Sequence, residues 1–442
     1  MKDLIRLSAV EAATRLARRE LSAEDYLGAF LDRIAEREPT VHAFAHLARD
    51  KALATARALD QGAVRGPLHG LPIGVKDMFD TFDMPTQGGS KIYVGHTTPV
   101  DAACIALSRH AGAVVLGKTV TTELATFPPN ETRNPHNPAH TPGGSSSGSV
   151  AAVSDCMLPL ATGTQTLGST VRPAAYCGVI GYKPTYNLIP KRGVWATSDT
   201  LDTVGVFGKT VPDVAWFVAG MMSCPELRVP LEESEPTALR VGICRTFEWD
   251  KASPEMQQAL EEAGQRLASA GAQVRDITLP ASYADMLQAQ ITVGTFEMGR
   301  TLSDEYLRHG ERMRPQLHER CALAWQVTLD EYQRALAIGR ECRARIPEAF
   351  ADVDVLLAPA ATGEAPEGHD WTGDPVMNQV WSFLHTPCVS IPASLGPRGL
   401  PLGLQVIGRL DDDARTLRAA HWIQQQMAWQ PFADAHAMRG RA

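Results

Sequence analysis

Basic residues are fewer than acidic ones in this chain, whose 442 residues include 42 lysines and arginines and 50 aspartates and glutamates. The resulting net charge of −8 disfavours a nucleic-acid-binding surface. Long apolar runs are lacking too, since no window approaches the roughly 18 uncharged apolar residues of a membrane-spanning helix. The N-terminal segment carries charges throughout and no apolar stretch typical of a signal peptide. These absences predict a cytoplasmic protein that binds neither nucleic acid nor membranes.

Paired cysteines and compact metal-binding motifs are missing as well. The eight cysteines are scattered without a C-x-x-C pair, and the thirteen histidines include no H-E-x-x-H motif. Such usage is typical of reduced thiols in the cytoplasm and not of a disulfide framework or a zinc site. The sequence therefore predicts a protein with no bound metal.

The most unusual stretch is a pair of Gly/Ser clusters, GGSSSGS at 143–149 and GTQTLGS at 163–169, joined by an apolar segment with hardly a charge. Glycine lets the backbone approach a ligand closely, and a serine hydroxyl can donate, accept or attack. Two flexible linkers are the alternative interpretation, but solvated linkers lack such apolar, patterned flanks. The pattern predicts two loops that meet at one site.

Short apolar runs alternate with amphipathic segments along the rest of the chain. The runs predict strands at 71–75, 113–116, 157–162, 239–244, 354–358, 389–392 and 402–407. Helices are predicted between them, including 149–155, 170–177 and an almost continuous helical stretch over 283–350. This alternation predicts an α/β fold in which helices cover both faces of a sheet.

We expect a single domain over residues 1–442, because the strands on either side of the most helical segment should share one sheet. Its expected parts are N-terminal helices at 1–60, a core with both Gly/Ser clusters at 61–210, a mainly helical insert at about 210–350, and a return to the sheet at 351–442.

Three familiar motifs do not apply to this chain: one has the wrong structural context, and two are absent. Residues 144–148 match the G-x-S-x-G elbow of α/β-hydrolases, but three prolines in the nine preceding residues cannot form the central strand that the elbow follows. No Gly-Lys-Ser/Thr follows the glycines, which excludes a Walker-type phosphate loop. No lysine has a serine three places before it, so the S-x-x-K pattern is absent.

Lysine is scarce, with nine in the chain, and Lys76 differs from the others because it ends an apolar strand, LPIGVK. Burial disfavours the ammonium form and lowers the pKa. A lowering of about three units from about 10.4 costs about 4 kcal/mol and yields a base usable near neutral pH. An ion pair with Asp77 at the strand end is the alternative, which composition alone favours.

Four motifs of this chain occur, in the same order, in the amidase signature family: GPLHGLPIGVKD at 66–77, the cluster at 143–149, GTQTLGSTVRPAAYCGVIGYKPT at 163–185 and GLPLGLQVIG at 399–408. They span most of the chain, which resembles that family. The resemblance implies an α/β amidase signature fold, a large twisted mixed β-sheet covered by helices on both faces with a mainly helical insert. It also implies hydrolysis of C–N bonds without a cofactor.

The resemblance assigns a catalytic triad of Lys76, Ser145 and Ser169. Ser169 would be the nucleophile, and Ser145 would lie on a cis peptide bond, favoured between Ser145 and Ser146 over Gly144 and Ser145. Neutral Lys76 would draw a proton through Ser145 from Ser169, which forms an acyl-enzyme. The oxyanion is expected to be bound by the backbone N–H groups of Thr166, Leu167, Gly168 and Ser169.

The chain departs from the family pattern at four positions. Ser147 replaces a glycine of the first cluster, and Gln165 replaces the aspartate of the usual Asp-x-Gly-Gly-Ser. Leu167 replaces a glycine of that motif, and Arg172 lies three residues after the nucleophile where the family's arginine usually lies two after it. All three triad residues are present, so these departures affect the expected substrate more than the expected reaction.

The helical insert and its surroundings favour an apolar or aryl substrate through a set of large side chains: Met286, Leu287, Ile291, Phe296, Met298, Trp325 and Trp381. An amide, anilide or carbamate (urethane) is therefore the expected substrate. Candidate substrate-binding residues are Phe127, Pro128, Ser146 and Gln165, of which the first two lie in an irregular loop before the first cluster.

Other functions remain open at this point. Alternatives within the family are a hydrolase of urea derivatives such as biuret or allophanate, and a glutamine-amidotransferase-type A subunit. A binding protein that has the amidase fold without its activity is disfavoured, because the chain retains Lys76, Ser145 and Ser169. We expect a monomer or homodimer that acts on a small-molecule amide or carbamate.

Overall fold

The computed structural model describes residues 3–126, 128–230, 239–427 and 429. The described residues form fifteen α-helices: α1 (Ala9–Ala17), α2 (Ala23–Val41), α3 (Arg49–Gln61), α4 (Ala103–His110), α5 (Ser147–Ser154), α6 (Val171–Cys177), α7 (Val211–Met222), α8 (Pro254–Ser269), α9 (Met286–Thr301), α10 (Ser303–His309), α11 (Pro315–Ala324), α12 (Leu329–Ala344), α13 (Ile346–Ala349), α14 (Val376–Phe383) and α15 (Asp413–Gln426). None of these helices is both long and apolar enough to cross a bilayer.

Eleven strands of the described residues form one sheet: β1 (Phe44–Leu47), β2 (Pro72–Lys76), β3 (Val114–Thr119), β4 (Leu160–Gln165), β5 (Ile180–Lys183), β6 (Thr203–Gly208), β7 (Arg240–Cys244), β8 (Gln273–Ile277), β9 (Val355–Pro359), β10 (Cys388–Leu395) and β11 (Pro401–Ile407). Their order across the sheet is β1-β3-β2-β4-β6-β5-β10-β11-β9-β7-β8. Parallel pairs join β3, β2 and β4 at one side and β9, β7 and β8 at the other, and the remaining pairs are antiparallel. The predicted mixed sheet is thus confirmed.

Helices cover both faces of this sheet, as β5 illustrates. Successive side chains of a strand point to opposite faces. A Cβ on Gly181 would meet Ala174 of α6, whereas the hydroxyl of the next residue, Tyr182, donates a 2.5 Å hydrogen bond to Asp413 of α15. The helices α6 and α15 therefore lie on opposite sides of the sheet.

The first Gly/Ser cluster leads directly into α5, which is buried along its whole length. At Gly148 this helix passes against neighbouring backbone, and a Cβ there would lie 2.1 Å from the carbonyl oxygen of Ala43 and 2.4 Å from the amide nitrogen of Val120. Only glycine fits such an approach. The helix is thereby held against the residue before β1 and the residue after β3.

The structure corrects the predicted layout in three places. The N-terminal region includes β1, a four-residue edge strand too short to give a periodic signal. The strands β5 and β6, which lie near the centre of the sheet, were not predicted. Within the helical insert, β7 was predicted but β8 was not, and together these strands form one edge of the sheet. That the chain is one domain with the expected internal boundaries stays a prediction.

The eight cysteines are free thiols, as predicted from their scattered positions. Seven of them are buried, and Cys224 is half-buried. Their role is therefore packing within the sheet and the helices around it.

Candidate active site

Lys76 is the last residue of β2, which lies between β3 and β4 in the parallel part of the sheet. Loops at the carboxyl ends of parallel strands share one edge, where α/β proteins place ligands. The lysine side chain is fully buried, and its Nζ lies 2.8 Å from Ser145 Oγ and 2.6 Å from Thr164 Oγ1. Burial lowers the pKa of this amine to about 7, so that neutral amine is available near neutral pH.

The alternative partner of Lys76, Asp77, is paired with a different lysine. Its carboxylate lies 3.0 Å from Nζ of Lys118 on β3, and both side chains are buried. It also accepts a hydrogen bond from the backbone of Gln87. Asp77 therefore balances the charge of Lys118 and leaves the amine of Lys76 to the two hydroxyl groups.

Ser145 lies on the cis peptide bond, which joins it to Gly144. The favoured prediction of a cis bond between Ser145 and Ser146 is therefore wrong, and the second choice is confirmed. The carbonyl groups on either side are both held, since Gly144 O accepts from Arg172 at 2.7 Å and Ser145 O accepts from the backbone of Thr122 at 3.1 Å. These contacts fix the loop that presents the Ser145 hydroxyl to Lys76.

Ser169 lies in the turn between β4 and α6, and its side chain lines the same cavity as Ser145. The two hydroxyl groups share this cavity, but no hydrogen bond joins them in the described contacts. Catalytic hydrogen bonds are often long without a ligand and shorten when substrate binds. The structure therefore brings Lys76 and Ser145 into direct contact and places Ser169 beside them.

Gln165 organises the turn that carries Ser169. Its Oε1 accepts 2.9 Å hydrogen bonds from the backbone of Thr170 and Val171 and so caps the start of α6. Its Nε2 donates to Ser382 Oγ of α14 at 3.0 Å, and Ser382 in turn donates to the Leu167 carbonyl at 2.8 Å. Both ends of the amide are thus occupied, and the prediction that Gln165 binds substrate is corrected: it holds the turn.

The backbone of this turn has three consecutive N–H groups without a hydrogen-bond partner in the described residues. Within the described part of the chain, the N–H groups of Leu167, Gly168 and Ser169 find no hydrogen-bond acceptor. Those of the next two residues are satisfied by Gln165. Unsatisfied N–H groups before a helix are suited to stabilising a negative oxygen. The assignment of these groups, and of Thr166, to an oxyanion hole stays a prediction.

Two other predicted substrate-binding residues, Ser146 and Pro128, are not among the residues that line the cavity. Ser146 is fully buried, and its hydroxyl is engaged with the backbone N–H and carbonyl of Thr164 at 3.4 Å each. Pro128 is also buried, and its carbonyl accepts from Glu123. Phe127 lies outside the described residues. Ala125 and Thr126, just before it in the chain, form this part of the cavity wall.

Arg172 connects α6 with two loops. Its guanidinium donates to the carbonyl of Gly144 at 2.7 Å, to the carbonyl of Gly373 at 2.6 Å and to the hydroxyl of Thr372 at 3.1 Å. The side chain is buried and also lines the cavity. Arg172, which lies three residues after Ser169, therefore connects α6 to the first Gly/Ser cluster.

The cavity has a volume of about 300 Å³ and a wall of mixed polarity. Of the seven large apolar residues named from sequence, only Ile291 and Met298 line it. Met286 and Trp381 are core residues, and Phe296 stacks on Tyr332 at 4.1 Å. Polar side chains contribute a further part of the wall: Thr126, Thr166, Thr197, Thr295, Arg320 and Gln379. Ala125, Leu167, Gly294 and Pro375 also line it. An apolar or aryl substrate, the expectation from sequence, therefore stays a prediction.

Sequence reasoning missed several residues of this site. Thr164 contacts Lys76 directly, and Asp202 accepts a 2.5 Å hydrogen bond from the hydroxyl of Thr166. The available signal for Thr164 was its place in the second Gly/Ser cluster, on the strand β4 that lies beside Lys76. Arg320 and Gln379 come from α11 and α14, and no local pattern connects these distant helices with the clusters.

A buried lysine beside a serine-lined cavity, at the edge of a large mixed sheet, is the arrangement that the amidase signature resemblance implies. A family model described as Amidase matches residues 25–417 of the chain. The chain therefore belongs to the amidase signature family, whose members are amidases and amidotransferases.

Relatives and solved structures agree with this assignment. The A subunit of the glutamyl-tRNA(Gln) amidotransferase of Acidothermus cellulolyticus is 33% identical, over 95% of this chain and 94% of the relative. A structure described as a crystal structure of amidase has a TM-score of 0.87 at 27% identity, over 95% of this chain and 100% of that chain. A second, from a vestigial protein complex linked to the evolutionary origins of an s-triazine catabolic enzyme, has a TM-score of 0.85 at 28% identity, over 95% and 98% of the chains.

Proposed function

We propose that this chain hydrolyses the C–N bond of a small polar carboxamide through an acyl-enzyme on Ser169. The observation that carries the proposal is the 2.8 Å contact of the buried Lys76 amine with Ser145, in the cavity that also holds Ser169. A neutral amine, a hydroxyl that passes a proton on and a hydroxyl that attacks are the three groups such a reaction needs.

In the first step, Ser145 passes its hydroxyl proton to neutral Lys76 and receives the proton of Ser169. The Ser169 oxygen forms a bond to the carbonyl carbon, and the carbonyl oxygen takes the negative charge. When this intermediate collapses, the C–N bond breaks and the proton returns from Lys76 through Ser145 to the leaving amine. Water then attacks the ester by the same proton path and releases the acid, which restores Ser169.

The negative oxygen of the intermediate needs donors that are already in place. The unsatisfied N–H groups of Leu167, Gly168 and Ser169 supply them in this proposal, with Thr166 at the start of the turn. Gln165 holds the turn from behind through α6 and α14. The oxyanion site is therefore part of one rigid turn.

The proposed substrate is of the glutamine type, a side-chain carboxamide with charged groups at its other end. The relatives named as A subunits of amidotransferases support this choice. The cavity wall supports it too, because Arg320 and Gln379 are among its residues, and guanidinium and amide N–H groups are donors that suit a carboxylate. Since those relatives are named as subunits, assembly with another chain belongs to this proposal.

An apolar or aryl amide, or a carbamate, is the second candidate substrate. It is favoured by Leu167, Ile291, Met298 and Pro375, which give the same cavity an apolar side. Leu167 in particular lies beside the proposed oxyanion site and narrows it.

A substrate panel separates the two candidates. Release of ammonia or amine is measured with glutamine, asparagine, hexanamide, benzamide and phenyl carbamate. We expect kcat/KM to be highest for glutamine or asparagine, and to fall in Arg320→Met but not in Glu319→Gln, the matched control on the same helix. Higher kcat/KM for benzamide or the carbamate would replace the first candidate by the second. No turnover with any of them would contradict hydrolysis of small amides.

A further inference from the structure

The Lys76 amine contacts two hydroxyl groups, and the proposed reaction uses only one of them. Nζ lies 2.8 Å from the Oγ of Ser145, a residue that lines the large cavity, and 2.6 Å from Thr164 Oγ1. Thr164 also lines a separate, smaller cavity, together with Lys191, Asp202 and neighbouring residues. This shorter contact has no part in the proton path from Ser169.

The direction of a hydrogen bond decides whether an amine is a base. A neutral amine has two N–H bonds and one lone pair. To accept the Ser145 proton, the lone pair must point at Ser145; if an N–H points there instead, the contact is equally short but unproductive. A second acceptor within hydrogen-bond distance engages one N–H and so favours the orientation in which the lone pair points to Ser145. Thr164 Oγ1 is placed as that acceptor.

If Thr164 accepts from Lys76, its own hydroxyl hydrogen must be donated elsewhere. The smaller cavity has a volume of about 110 Å³ and is bordered by Asp202 and Lys191 among others. A water molecule takes up about 30 Å³ in the liquid and needs two to four polar partners. The space and the polar wall therefore suit water that accepts the Thr164 proton.

We propose that Thr164 is a positioning residue that directs the lone pair of Lys76 towards Ser145, with water in the small cavity accepting the Thr164 proton. The inference rests on the proposed function, in which Lys76 is the base, and adds to it the residue that orients this base. The hydroxyl group is the essential feature, so serine serves in its place and valine does not.

The charged groups around Lys76 set the background for a test by titration. Asp202 faces it from the loop before β6 and favours the ammonium form. Asp77 follows it on β2 and is paired with Lys118 of β3, and Lys191 borders the small cavity. None of these groups changes in a substitution of Thr164, so a shift in the titration of Lys76 reports the lost hydroxyl.

The first measurement follows the titration of Lys76 directly by NMR, in protein labelled with 13C at lysine Cε. The chain has nine lysines, and Lys76→Met identifies the signal. Thr164→Val removes a hydroxyl that accepts a stronger hydrogen bond from the ammonium form of Lys76 than from its neutral amine. The titration midpoint of Lys76 is therefore expected to fall. Thr164→Ser should restore it. Thr164→Ala is the second variant if valine prevents folding.

Thr162→Val is the matched control. Its hydroxyl, two residues earlier on β4, accepts from the backbone N–H of Lys76 at 3.1 Å and does not contact Nζ. Thr162→Val removes a buried hydrogen bond to Lys76, so it should lower the stability of the protein without changing the titration midpoint of Lys76. An unchanged midpoint in both Thr164→Val and Thr164→Ala would overturn the inference.

The second measurement is the rate at which a fluorophosphonate labels the protein, read by intact mass. We expect labelling of Thr164→Val to be slower by about tenfold or more, the effect of one lost hydrogen bond, and to recover in Thr164→Ser. Equal rates in wild type and Thr164→Val would contradict the positioning role. Failure to label the wild type would contradict Ser169 as nucleophile, and the titration would then still decide the role of Thr164.

Discussion

The amine of Lys76 accepts a proton only in its neutral form, which burial makes available near pH 7. We expect kcat/KM to rise with pH through a midpoint of about 7 and to level off above it, because the ammonium form predominates below the midpoint. The measurement is kcat/KM between pH 5 and 9 with the best substrate of the panel.

Lys76→Arg is the control for this pH profile. An arginine stays charged throughout the range and cannot serve as the base. Activity should therefore fall to background at every pH, and the rising limb should disappear. A rising limb with the same midpoint in this variant would assign the titration to another group.

The two serines of the site are predicted to differ in what their loss leaves behind. Ser169→Ala removes the nucleophile, so no covalent adduct with a fluorophosphonate should form. Ser145→Ala retains the nucleophile but breaks its path to Lys76, so a much slower adduct should still form on Ser169. Peptide mapping by mass spectrometry locates the label. Label on Ser145 or Ser146 would move the nucleophile to the first Gly/Ser cluster.

Residues of the site were predictable where a motif gave them a place in the chain. Lys76 ends an apolar run, and Ser145 and Ser169 lie in Gly/Ser clusters, so their meeting could be expected. Arg320 had no such signal, because α11 reaches the cavity only through the packing of the insert. Gln165 was predicted to bind substrate because sequence alone does not show that both ends of its amide are occupied.

Among the larger elements, α14 is hydrogen-bonded to the proposed oxyanion turn through Ser382. Ser382 accepts from Gln165 and donates to the Leu167 carbonyl, while Gln379 of the same helix lines the cavity. Ser382→Ala leaves the Leu167 carbonyl and the Gln165 amide without this partner. We expect kcat to fall by about tenfold, the effect of one lost buried hydrogen bond, with little change in KM.

Thr386→Val provides the comparison for Ser382→Ala. This hydroxyl is also buried, and it donates to the Trp381 carbonyl at 3.3 Å without contacting the turn. Thr386→Val should lower the melting temperature and leave kcat unchanged. If Ser382→Ala changes KM alone, α14 acts on the bound substrate and not on the turn.

The elements themselves were predicted to different degrees, for physical reasons. The runs that became β2, β9 and β11 are buried on both faces and read as continuous apolar segments. In contrast, β5 is the four-residue IGYK, whose Gly181 is required by the close packing of α6. No local sequence pattern predicts the pairing of β8 with β7, because β8 is largely exposed.

For the molecule as a whole, two buried lysines on neighbouring strands are predicted to affect stability in opposite directions. Lys118 on β3 is paired with Asp77 at 3.0 Å, whereas Lys76 on β2 contacts only hydroxyl groups among the described residues. Lys118→Met would leave the Asp77 carboxylate buried without its partner, which costs about 3–5 kcal/mol. Lys76→Met instead removes an amine whose charged form is unfavourable in the folded state.

The sign of the Lys76 effect follows from its two pKa values. The unfolded chain titrates at about 10.4, and the folded protein at about 7. Between these pH values the unfolded state binds the extra proton, so the free energy of unfolding rises with pH across this window. Below it, the folded state carries the full cost of a buried ammonium, about 5 kcal/mol. Lys76→Met should therefore raise the melting temperature at pH 6–7, with a gain that shrinks towards pH 10. A lower melting temperature at pH 6–7, like that expected for Lys118→Met, would show that Lys76 is stabilised by its site and contradict its role as a base held ready near neutral pH.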